Sequence, residues 1–139
     1  MEDKEQLLES LYLQALSEPM DYFPHDTNTF DDDAYWAFFQ EQGYNGTGIY
    51  WQLVPLLTRK KGHSYKVGDK RLLNELYITE EQWEPVCDSM VRHGLLNRAL
   101  YKDGFIVSDR VQRNAERYAR QTSKARLGAE MTNRKKTER

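Results

Sequence analysis

A mostly helical α+β fold is predicted by three features of the sequence. Apolar residues recur at helical spacing through most of the chain, the stretches suited to strands are short and few, and glycine, proline and Asp-Gly break the helical segments at close intervals. The length of 139 residues fits one domain with tails, and 39% apolar and 12% aromatic residues supply a core. The first helix is expected over residues 4–17, where Leu7, Leu8, Leu11, Leu13, Ala15 and Leu16 form an apolar face and Pro19 ends it. Residues 21–25 read as a short extended segment. Asp31, Asp32 and Asp33 then offer N-caps and first-turn acids for a helix to about Gln42, rich in aromatics and closed by Gly43.

A further helix is expected from about Thr47 to Lys60, with Ile49, Leu53 and Leu56 beside Tyr50, Val54 and Leu57. Pro55 should kink it or displace a hydrogen bond. Ser64 to Val67 suit a short strand, and Asp69 caps a short helix carrying Leu72, Leu73, Leu76 and Ile78. Thr79 and Gln82 match a capping box ahead of Trp83, Val86, Cys87, Met90 and Val91, an amphipathic helix that Gly94 terminates. Leu95 to Tyr101 and Phe105 to Ser108 flank Lys102-Asp103-Gly104, a hairpin signal. From Asp109 the pattern is helical again. Two short helices followed by a hairpin describe a winged helix-turn-helix with a β-hairpin wing and an extra N-terminal helix. The expected divisions are an N-terminal helix (1–19), a winged-helix domain (20–108), a basic helix (109–128) and a disordered tail (129–139).

Several functions are disfavoured by the residues. No apolar run approaches the roughly 20 residues that span a bilayer, and the acidic start reads as no secretory signal, so no membrane partner and a cytoplasmic location are expected. Gly43-Tyr-Asn-Gly-Thr-Gly48 follows a helix rather than a strand and lacks the Walker lysine, so it reads as a helix-to-helix turn with Thr47 near the next N-cap. His25, His63 and His93 are scattered, and Cys87 falls on the apolar face of its helix. No catalytic residues, metal ligands or cofactor are expected, and the chain reads as a non-enzyme.

Charge carries the functional signal. Residues 1–108 hold 10 Lys+Arg against 18 Asp+Glu, whereas residues 109–139 hold 10 against 4. In the last helix Arg110, Arg113, Arg117, Arg120 and Lys124 are spaced 3, 4, 3 and 4, which sets five cations on one face over roughly 21 Å. Glu116 is the only acid between Arg110 and Lys124. Such a stripe repels itself unless a phosphate backbone or an acidic partner neutralises it. A second group, Arg59, Lys60, Lys61, Lys66, Lys70 and Arg71, and Lys102 at the hairpin tip complete the expected DNA contacts. The helix from Thr79 opens with Glu80, Glu81 and Glu84, with Asp88 one turn on, and these carboxylates argue against its entering a groove.

The segments Tyr22-Phe-Pro-His-Asp26, Gly43-Tyr-Asn-Gly-Thr-Gly-Ile-Tyr-Trp-Gln-Leu53, Gly94-Leu-Leu96 and Asp103-Gly-Phe-Ile-Val-Ser-Asp-Arg110 carry a resemblance. In this order they resemble the N-terminal winged-helix domain of phage and prophage replication-initiation proteins, often found upstream of a DnaD-type domain. The resemblance covers about residues 20–120 and implies a winged helix, no enzymatic activity and a role around phage DNA replication or DNA binding. Related DnaD N-terminal domains self-associate. An extra helix precedes the resemblance and a basic tail stands where a DnaD-type domain would follow, as in a fragment of a longer initiator or a short stand-alone member. The expectation is DNA binding of low sequence specificity through phosphate contacts, linked to replication initiation. The alternative is a protein-interaction or oligomerisation module, with a second copy of the chain or replication proteins as partners.

Overall fold

The computed structural model describes residues 3–25 and 29–137, so Asp26 of the motif above and the last two positions of the expected tail lie outside the described residues. The described elements are α1 (Lys4–Leu16), a 3-10 turn at Thr29–Asp31, α2 (Asp33–Arg59), β1 (Tyr65–Lys66), α3 (Lys70–Leu76), α4 (Glu80–Arg92), α5 (Arg98–Lys102), β2 (Phe105–Ile106) and α6 (Asp109–Thr137). The fold is a mostly helical α+β arrangement with one small antiparallel sheet.

Side-chain caps set most helix starts, because the first N–H groups of a helix have no partner within it. Asp3 and Gln6 exchange reciprocal bonds at α1. The Asp32 carboxylate accepts from the N–H groups of Ala34 and Tyr35. Asp69 accepts from Arg71 N–H at α3, and Thr79 and Gln82 form the reciprocal box at α4. Residues 21–25 form neither helix nor strand.

Two expectations need correction. The glycine cluster is not a helix-to-helix turn spanning 43–48. A single residue, Gly43, breaks α2 at φ 64° and ψ −159°, and helical geometry resumes directly after it. Thr47 is therefore inside the helix, its hydroxyl donating to the carbonyls of Gly43 (3.1 Å) and Tyr44 (3.2 Å), and is no N-cap. Pro55 is accommodated within the second half of α2. The second correction is the hairpin. Residues 98–102 are the helix α5, because the Asn97 side chain accepts from Leu100 N–H (2.9 Å) and caps it. Gly104, at φ +98°, turns the chain into β2, which pairs with β1 in the register Tyr65↔Ile106 and Lys66↔Phe105. The sheet thus joins segments forty residues apart, where the sequence suggested neighbours. Lys102 ends α5 and is not a hairpin tip.

The core forms where the second half of α2 meets α4. Leu53, Val54 and Leu57 pack with Val86, Cys87 and Met90, closed by Leu72, Leu96, Ile106 and Val111. Burial pushes the Cys87 thiol up to about 11, as suits an inert core residue. Helix α6 starts on this core and runs along α1, its principal neighbour. Its buried residues are Val111, Ala115, Ala119, Ser123 and Leu127, every fourth position, and the small side chains in the middle admit a close helix approach. The helix continues past 128 to Thr137, through the stretch expected as a disordered tail. Among the described residues no helix is long and apolar enough to cross a membrane.

Candidate nucleic-acid interface

A line of buried residues at every fourth position winds slowly round an α-helix, since four residues overshoot one turn of 3.6. On α6 this line leaves the flanking positions to solvent. Arg113, Arg117, Arg120 and Lys124 are all exposed there, a row of about 16 Å. Arg110 is drawn out of the row toward the body. It is half-buried, with its guanidinium carbon 5.4 Å from the centre of the Trp51 ring. His25 stacks on the same indole with ring centres 3.9 Å apart, and the indole N–H donates to the Tyr35 hydroxyl (2.9 Å). Beside it, burial pushes the Tyr50 phenol up while the Arg110 charge draws it down. The expected five-cation face is thus four exposed cations and one arginine turned toward an aromatic cluster.

The second group is built around β1. Arg59, Lys61, Lys66, Lys70 and Arg71 are exposed, and Lys60 lies 4.1 Å from the centre of the Tyr65 ring. The Tyr65 hydroxyl donates to Glu75 (2.8 Å), and burial together with that bond pushes the phenol up to about 12. Arg71 approaches Asp69 at 3.8 Å. Lys66 pairs with Phe105, three residues beyond Lys102 in the chain. The four cations of α6 belong to a different element.

Helix α4 presents Glu80, Glu81, Glu84 and Asp88 to solvent. Glu80, Glu84 and Asp88, with Asp69, line a cleft of about 300 Å³ against α3 and the sheet. Asp88 accepts from Arg92 Nε (2.8 Å), and Arg92 and His93 both reach Glu41, with His93 Nε2 2.8 Å from its carboxylate. These bonds, that from Arg92 first, hold the Glu41 carboxyl down at about 2. Among the described residues no cluster of His, Cys, Asp or Glu could hold a metal ion.

One contact escaped the sequence reading. Arg126 forms a two-pronged ion pair with Glu18 (2.5 and 2.8 Å), to which the Tyr118 hydroxyl also donates (3.3 Å). The pair fastens the segment after α1 to the middle of α6, and Arg126 lowers the Glu18 pKa. No local pattern links residues this far apart in the chain.

Residues 22–111 match the family described as Lin1244/Lin1753-like, N-terminal, well over half of the chain. The chain belongs to the Lin1244/Lin1753-like N-terminal family. No curated protein and no solved structure matches it. In this Lin1244/Lin1753-like chain, three separate motif segments meet at one side chain: His25 and Arg110 both sit against Trp51. The Gly43–Leu53 segment, through Trp51, therefore helps to build the seat of α6 on α2. The match ends at Val111, so the cation row from Arg113 to Lys124 lies beyond it.

Proposed function

We propose that this chain is a winged-helix DNA-binding protein of phage or prophage origin, acting in a bacterial cytoplasm around replication initiation. It holds the phosphate backbone without strong sequence preference. The observation that carries the reading is the row of Arg113, Arg117, Arg120 and Lys124, four exposed cations on one rigid helical face. A phosphate backbone supplies the neutralising charge that the row lacks among the described residues. The cations around β1 and Lys102 add a second contact region. The acids of α4 argue against that helix as the groove reader, since only cytosine N4 rewards a carboxylate there. The winged-helix assignment is supported by the order α2, β1, α3, α4, with the short α5 then leading into β2, and by Asn97 N–H donating to Val107 O (2.8 Å), the bond expected where a further strand would join.

The test is fluorescence anisotropy with labelled duplex over a salt series. The comparison is the whole chain against a variant with Arg113, Arg117, Arg120 and Lys124 all changed to Gln. Truncation at Ser108 is a poor control, because it would strip α1 of its partner helix. The four cations of α6 should contribute about −3.6 to the log–log salt slope of the unaltered chain, the share that the variant loses. Salt-independent binding, or none at low salt, rejects the proposal.

A second reading is favoured by one observation. Trp36, Phe39 and Tyr44 form a continuous aromatic run (5.7 and 5.2 Å between centres) with Trp36 and Tyr44 exposed, as on a surface for a protein partner or second copy. Light scattering without DNA, with and without Tyr44→Ser and Trp36→Ser, reads whether this run holds an oligomer.

A further inference from the structure

The segment after α1 crosses α6 and leaves a cavity of about 450 Å³ between them, within the range that holds a small ligand. Asp21, Tyr22 and Pro24 form one wall; Asn114, Arg117 and Tyr118 form the other. Three features of these walls point the same way. Tyr22 is 77% exposed, a large ring left at the mouth with nothing stacked on it among the described residues. The amide nitrogen of Asn114 is buried and has no hydrogen-bond acceptor among the described residues, a costly state for a donor. Arg117 belongs to the exposed cation row, so the cavity opens beside that row.

We propose that this cavity takes an unpaired base of a single-stranded nucleic acid whose phosphates follow the cations of α6. The inference rests on the phosphate-binding reading of that row and adds the class of strand. Tyr22 supplies the stacking face. The Asn114 amide donates to a base carbonyl, the acceptor it lacks among the described residues. Asp21 repels a phosphate from the cavity and accepts from an exocyclic amino group. Arg117 holds the adjoining phosphate. A duplex buries its base faces in the stack, so a cavity of this kind rewards single strands, for which stacking on aromatic side chains is the recurring mode.

The experiment uses the full chain and three labelled probes at low salt: a mixed-sequence single strand of about 12 nucleotides, within the usual range of single-strand site sizes, an abasic strand of equal length, and a duplex. The base-bearing strand should bind about tenfold more tightly than the abasic one. Tyr22→Ala should erase that difference and leave abasic binding unchanged, while Tyr22→Phe keeps it. Tyr22 is exposed, so the alanine variant should retain the thermal midpoint of the parent; Asn114→Ala probes the other wall. Equal binding of base-bearing and abasic strands overturns the base cavity and leaves the phosphate row standing on the duplex result. A preference that survives both alanine substitutions also overturns it. Failure to bind any probe rejects the phosphate row and the cavity together.

Discussion

A methyl group on Gly43 would sit on a backbone at φ 64° and ψ −159°, a region that side chains other than hydrogen hardly enter. One turn later, a Cβ on Gly46 would stand 2.3 Å from the Cβ of Gln42. The two glycines do different jobs. Gly43 lets the chain change direction, and Gly46 lets the two halves of α2 close on the bend. Gly43→Ala should cost about 1–3 kcal/mol by strain, and Gly46→Ala a similar amount by overpacking, both read as lower midpoints in urea. The glycine-rich stretch was legible as a break and not as a phosphate loop. Which of its glycines carries the break was not, because every glycine looks alike until the packing around it is known.

At the scale of elements, the bend in α2 is held by Glu41, two residues before Gly43, through Arg92 and His93 at the end of α4. The Glu41 carboxyl is held at about 2 against an ordinary 4.5. A carboxyl lowered on folding stabilises above its unfolded value and loses that contribution as pH falls through its folded value. The stability advantage of the parent over Glu41→Gln should therefore be full above pH about 4.5 and gone near pH 2, as read by thermal melts across that window. Helix α6 makes a complementary case. Ala119 is fully buried in its contact line. Ala119→Leu should cost about 1–3 kcal/mol and prise α1 from α6, which amide exchange along α1 would report. The helices of this fold were largely legible in the sequence, since their caps and apolar periods are local. The hairpin was misread because Asp-Gly marks a turn without naming the strand that β2 will join, and Asn97 proved to be a helix cap.

Across the whole molecule, charge is sorted by element more than by sequence half. The acids of α4 face solvent on one helix, and most of the exposed cations among the described residues lie on α6 and around the sheet. Removing cations from the α6 row singly, for example Arg117→Gln or Arg120→Gln, should lessen the duplex salt slope by about 1 each. Lys124→Gln should act alike, whereas Arg110→Gln should act on stability, since Arg110 leans on Trp51. The periodicity that revealed the row could not separate Arg110 from its neighbours. It shares their spacing, and only the seat built by residues from distant segments draws it away. The Glu18–Arg126 pair was hidden for the same reason.

That seat also gives the protein an optical handle. Trp51 is half-buried between an imidazole and a guanidinium, one from the segment before α2 and one from the first turn of α6. With Trp36 and Trp83 replaced by phenylalanine, the remaining indole would emit from the one place where these segments converge. Its colour would then follow the docking of α6 directly. A DNA-bound protein whose emission stays put holds the helix as a fixed rail, and one whose emission reddens has lifted it from the body to reach the strand.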